Sequence, residues 1–227
     1  MKRLSQWLAI ALLTAAAGNA LAAGATVDVF KAKDQSLLAV FDDHQIITCA
    51  DQTLGEVDSA MDMQWNSSLF KADGSITMQS AIFVDLHYVN TCTGENLLMS
   101  GFAQNTNGSV STDLASGHVD AVVPVMTDPD PDTGVVFTGS VHVNLNFTAN
   151  GSTTTIRDRF HSQGGGVVFM NNFLVASRPG VATGTALSTL QGAFGVYNVE
   201  LIGGQPSLSA QLGKDANGSM TIVTKAH

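Results

Sequence analysis

Apolar and polar residues alternate with a period of two along most of this chain. In SITMQSAIFVDLHYVN, from Ser75, Ile76, Met78, Ile82, Val84, Leu86 and Tyr88 fall on one side, with Thr77, Gln79, Asp85 and His87 on the other. That spacing is the signature of a strand with one covered face. GVVFTGSVHVNLNFTA repeats it: Val135, Phe137, Val141, Val143, Leu145 and Phe147 oppose Thr138, Ser140, His142, Asn144, Asn146 and Thr148. In EVDSAMDMQW, Val57, Met61, Met63 and Trp65 oppose Glu56, Asp58, Asp62 and Gln64. TVDVFKAK, HQIITC, TIRDRFH, VVFMNNFLVA, AFGVYNVEL and SMTIVTKA read as further strands, and HVDAVVPVM as one whose Pro124 belongs on an edge or at a bulge. No segment after residue 22 has a convincing helical period.

Four Asx-Gly pairs punctuate these strands: Asp73-Gly74, Asn107-Gly108, Asn150-Gly151 and Asn217-Gly218. Such pairs accept the positive φ angles of a type I′ hairpin turn, so each is expected to reverse the chain. Asn171-Asn172 is a candidate fifth turn. The pairs stand at unequal intervals, which excludes a solenoid or propeller of fixed period. Consecutive strands joined by tight turns form an antiparallel meander. The expected fold is therefore all-β, closed as an up-and-down, barrel-like domain, with a two-sheet sandwich as the alternative. An outer-membrane barrel would want aromatic girdles and an apolar outer face. Here there are 2 Trp and 2 Tyr, and Asp, Asn, Gln and Thr occupy many outer positions.

The first 22 residues depart from this pattern. Lys2 and Arg3 precede an apolar run from Trp7 to Ala17, and Ala20-Leu21-Ala22 is a small-x-small site. This is the layout of a signal peptide, predicting a leader over 1–22, a single all-β domain over 23–227, and a periplasmic or secreted location. No later segment is long and apolar enough to be a transmembrane helix. Loss of Lys2 and Arg3 takes the formal net charge from −9 to −11. An acidic surface repels phosphate backbones, so nucleic acid is not an expected partner. Cys49 and Cys92 are the 2 cysteines. In an oxidising compartment such a pair is expected to form a disulfide.

Candidate chemistry is sparse. In DPDPDTG, Asp128, Asp130 and Asp132 place carboxylates at alternate positions, as a calcium loop would. The sixth and twelfth positions, Thr133 and Gly139, do not fit an EF-hand, so a stiff, charged loop is the competing reading. No other cofactor is implied. Asp85 with His87, and His118 with Asp120, share strand faces and could orient an imidazole. Arg157, Arg159 and His161 share another face, which could meet a carboxylate ligand or balance Asp58 and Asp62 across the sheet. SQGGGVV lacks the lysine of a phosphate loop, and no G-x-S-x-G elbow occurs.

The stretch NTCTGENLLMSG, with Cys92, Gly94 and Glu95, and the later GSVHVNLNFTANGSTTTIRDRF resemble secreted bacterial all-β proteins that carry a Cys-x-Gly-Glu turn. The resemblance implies an exported all-β domain and no activity. The expected function is a non-enzymatic exported domain binding a small apolar ligand, among residues such as Phe137, Phe147 and Phe169, or a surface partner. A secreted hydrolase or isomerase using His87 or His161, and a structural part of a surface assembly, are the alternatives.

Overall fold

The computed structural model describes residues 26–224 except 73–74, 129–133, 135, 165–166, 193–194, 204–205 and 216–217. The leader reading, Asp130, Asp132 and the Asp73-Gly74 pair lie outside the described residues. Those residues form strands and connections without a helix: β1 (Thr26–Thr48), β2 (Leu54–Ala72), β3 (Ser75–Asn90), β4 (Glu95–Gln104), β5 (Asn107–Val110), β6 (Ser116–Thr127), β7 (Thr138–Ala149), β8 (Thr154–Gly164), β9 (Val167–Gly192), β10 (Gly195–Gly203), β11 (Ser209–Asp215) and β12 (Gly218–Thr224).

Every pairing among them is antiparallel. Several strands are consecutive stretches of one run. β4 and β5 both pair with β6, from Gly101↔Val125 to Asn107↔Asp120, so five residues of one side face four of the other. β7 and β8 continue each other along β9, as do β11 and β12 along β1. Counted as runs, the sheet is a ring of eight: β1, β2, β3, β4–β5, β6, β7–β8, β9, and β10–β11–β12, which returns to β1. This is the expected up-and-down, barrel-like meander.

The turn reading needs correction. β2 and β3 do pair from Ala72↔Ser75, flanking Asp73-Gly74. Asn107-Gly108, however, is inside β5, and the irregularity precedes it at Asn105 (φ 55°). The reversal into β6 is Ser111–Ser116, where Ser111 Oγ and the Ala115 N–H both donate to the Asp113 carboxylate and Leu114 takes φ 58°. Asn150-Gly151 lies where β7 passes into β8, and the chain does not turn back there. Gly218 opens β12, which keeps the direction of β11. Asn171-Asn172 lies within the first part of β9, paired with Met220 and Ser219. The physical reason is that a bulge also takes a residue of positive φ or one without a side chain, so Asx-Gly serves bulges as readily as hairpins. Pro124 stands where the β4–β6 ladder breaks, and its missing N–H leaves no ladder bond unmade there.

Eight strands enclose a space that side chains can fill. Leu37, Met61, Trp65, Ile82, Val84, Leu114, Val119, Val143, Leu145, Phe147 and Leu212 are essentially inaccessible and belong to one continuous core. Met61, Trp65, Ile82, Val84, Val143, Leu145 and Phe147 among them are inward positions of the alternation read from the sequence, whereas Met78, expected on the same side as Ile82, is 69% exposed. The Trp65 indole N–H donates to Thr106 Oγ1 at 3.1 Å, which satisfies its one polar atom.

Pairing thins towards both ends of the ring. At one end β4 meets β6 through three residue pairs, and β1 beyond Val40 pairs, among the described residues, with β2 alone. At the other, β8 pairs with β9 and with no second strand among the described residues, leaving an edge of 11 residues.

Candidate functional site

The disulfide is formed: Cys49 and Cys92 are joined, with Cα atoms 5.3 Å apart. It ties the β1–β2 connection to the β3–β4 turn. Gly55 lies against both sulfurs, where a side chain would collide with them. Thr91 adds a second clasp, its N–H donating to the Glu56 carbonyl at 3.0 Å while its Oγ1 accepts the Glu56 N–H at 2.7 Å. The sulfurs are thus committed and cannot serve as metal ligands.

A groove of about 470 Å³ runs over the outer wall where β2, β3 and β4 approach the end of β6. Asp62, Asp85 and Asp128 supply its charge, His87 lines it as well, and Leu98 and Met126 are its exposed apolar flanks. The β2–β3 register sets Asp62 directly opposite Asp85. Partial desolvation, and then the charge of Asp62, hold the Asp85 carboxyl above its usual range. Beyond the groove the apolar surface continues through Phe102 and Val122, so four large apolar side chains, 44–70% exposed, stand on β4 and β6. Of the calcium triad only Asp128 can be placed, and it joins Asp62 and Asp85 around this groove.

The histidine pairs are not as the sequence suggested. His87 bonds Asn96 at 3.0 Å, across the β3–β4 ladder, and not Asp85. His118 bonds Asn146 at 3.1 Å, while Asp120 accepts from His142 at 2.8 Å. The ladder register selects the partners: His118 stands directly opposite Asn146, whereas Asn96 is diagonal to His87 and His142 is diagonal to Asp120, within reach of long side chains. Arg157, Arg159 and His161 are exposed on β8, opposite Leu174, Asn172 and Met170 of β9, and so do not face Asp58 or Asp62. Phe147 is core, Phe137 packs partly buried against it, and the Phe169 side chain is outside the described residues.

One cluster escaped the sequence reading. His44 of β1 stands opposite Asp58 of β2, and Glu56 is diagonal to it. His44 Nδ1 lies 2.5 Å from Asp58 Oδ1, and one donor atom from each of the three residues falls within 4.8 Å of the others. Glu56 and Asp58 are visible as outer-face residues in the alternation. Their meeting with His44 depends on the β1–β2 register, which the alternation does not specify.

No family model matches the chain, and no curated protein matches it.

Proposed function

We propose that the protein is an exported, non-enzymatic binding domain that engages a protein partner through the outer wall of β3, β4 and β6. The observation that carries this reading is the run of Leu98, Phe102, Val122 and Met126 exposed beside a groove charged by Asp62, Asp85 and Asp128. Exposed apolar surface beside charge is the composition of an interaction site. The acidic rim selects a partner presenting apolar side chains flanked by lysine or arginine. A filled interior favours a partner on the outside over a small apolar ligand within. An acid–base enzyme of the kind considered above would gather two or more histidines with carboxylates in one concavity; this groove is lined by one, His87. Export is supported by the leader-like first 22 residues and by the disulfide.

A specific feature favours a second reading, a structural component of a surface assembly. β8 offers an 11-residue edge able to accept another strand, although Arg157 and Arg159 are of the kind that discourages it. Site-specific photo-crosslinking in the native host separates the two. A crosslinker at Leu98 or Met126 is expected to give one discrete adduct, and one at exposed Gln211 none. An adduct from Ile156 on β8 alone, at twice the chain mass, would establish the assembly instead. Absence of adducts from Leu98 and Met126 would sink the first reading.

A further inference from the structure

We propose that His44, Glu56 and Asp58 form a binding site for a divalent transition-metal ion, zinc being the probe of choice. The inference does not rest on the partner-binding reading, since it uses a different set of side chains. Three donors of mixed type converge there: one imidazole nitrogen and two carboxylate oxygens, mutually within 4.8 Å. Zinc binds such nitrogen and oxygen donors at about 2.0–2.2 Å, which places tetrahedral donors on the order of 3.5 Å apart. Modest rotamer changes of three solvent-facing side chains bring these atoms to that spacing. His44 Nδ1 and Asp58 Oδ1, now 2.5 Å apart, separate slightly as the ion takes the place of the hydrogen between them. The imidazole sets the preference, because calcium and magnesium favour all-oxygen shells whereas zinc, nickel and copper accept imidazole.

The backbone beneath these side chains is held in place. Glu56 is gripped on both its N–H and its carbonyl by Thr91. The Cys49–Cys92 bond lies beyond the same hairpin end and fixes the two connections against each other. The β1–β2 ladder runs without a break from Lys31↔Lys71 to Thr48↔Leu54, so the His44↔Asp58 register is firmly set. Three protein ligands on an open wall leave further coordination positions to water or to a donor from another molecule.

The test is a titration of the chelator-stripped mature protein with zinc chloride at neutral pH, read by calorimetry and by the histidine ring signals in NMR. One ion per chain is expected, shifting the His44 ring resonances and leaving those of His87 unmoved. His44→Ala and Glu56→Gln are each expected to weaken binding by about ten-fold or more, since even residues that only support a ligand cost that much. Asp85→Asn, in the groove, is expected to leave it unchanged. All three changes are on the exposed wall, and circular dichroism confirms that each variant is folded. Zinc binding weaker than about 1 mM in the unaltered protein, or affinity indifferent to both His44→Ala and Glu56→Gln, overturns the proposal.

Discussion

Gly108 lies flat against the indole of Trp65, so close that a methyl group at residue 108 would overlap Cε2, Cζ2 and Nε1 of the ring. Trp65 is itself wholly enclosed and anchored through its N–H to Thr106. It has no room to withdraw. Gly108→Ala is therefore expected to destabilise the protein by about 1–3 kcal/mol, the usual penalty for overfilling a packed core. Equilibrium urea unfolding followed by tryptophan fluorescence measures it, and Gly151→Ala, where the contact is the exposed ring of Pro179, provides a milder comparison.

Reduction of the disulfide is expected to lower stability by up to about 4 kcal/mol, the chain-entropy figure for a loop of this size. Cys49 and Cys92 are separated by 43 residues. The loss appears as a lower urea midpoint for a Cys49→Ser, Cys92→Ser double variant. Thr91 continues to clasp Glu56 in that variant, so the end of β2 is expected to stay attached to the β3–β4 turn in its NMR spectrum.

Asp85 makes an acid-side prediction. Its folded-state pKa is raised above 3.8, first by desolvation and then by Asp62. A carboxyl raised in this way counts against folding once it is ionised, and carries no penalty below the unfolded value. Asp85→Asn is expected to be more stable than the parent at pH 7. The advantage is expected to shrink as pH falls through the folded pKa and to vanish below about 3.8. Paired thermal melts from pH 3 to 7 test this (a range chosen to bracket ordinary carboxyl values); an advantage that persists at the acid end refutes it.

His44 makes the complementary prediction. The hydrogen bond to Asp58, with the charge of Asp58 next, raises its pKa above the ordinary 6.5. The associated stabilisation is complete below 6.5 and is lost as pH rises through the folded value. Asp58→Asn is expected to bring the His44 titration back towards 6.5, as read from its ring resonances against pH.

Which residues face inward could be read directly, because a period of two assigns Met61, Met63 and Trp65, or Val141, Val143, Leu145 and Phe147, to one side without knowledge of their neighbours. The number and direction of the strands could not. Asn107-Gly108 and Asp73-Gly74 look alike in sequence, yet one lies inside β5 and the other between paired strands. Backbone freedom at glycine and asparagine is a local property, whereas turning or bulging is decided by what lies across the ladder. The same limit hid the His44, Glu56 and Asp58 cluster and misdirected the histidine pairs. Asp85 and His87 are close in the chain, but His87 finds Asn96 on another strand. The groove was half visible: Asp85, His87 and Asp128 were each singled out, and their convergence needed the fold.

The first strand and the last are neighbours, Thr26 pairing with Thr224. A chain emerging from its N-terminus therefore has β1 waiting, one flank bare, until β11 and β12 have appeared. β9 deepens the delay, because β7, β8, β10, β11 and β12 all fasten to it. Completion of the ring is consequently a late, long-range event of the kind that makes β proteins slow to mature. Until then the growing chain depends on its surroundings to keep other molecules from claiming the vacant side of β1.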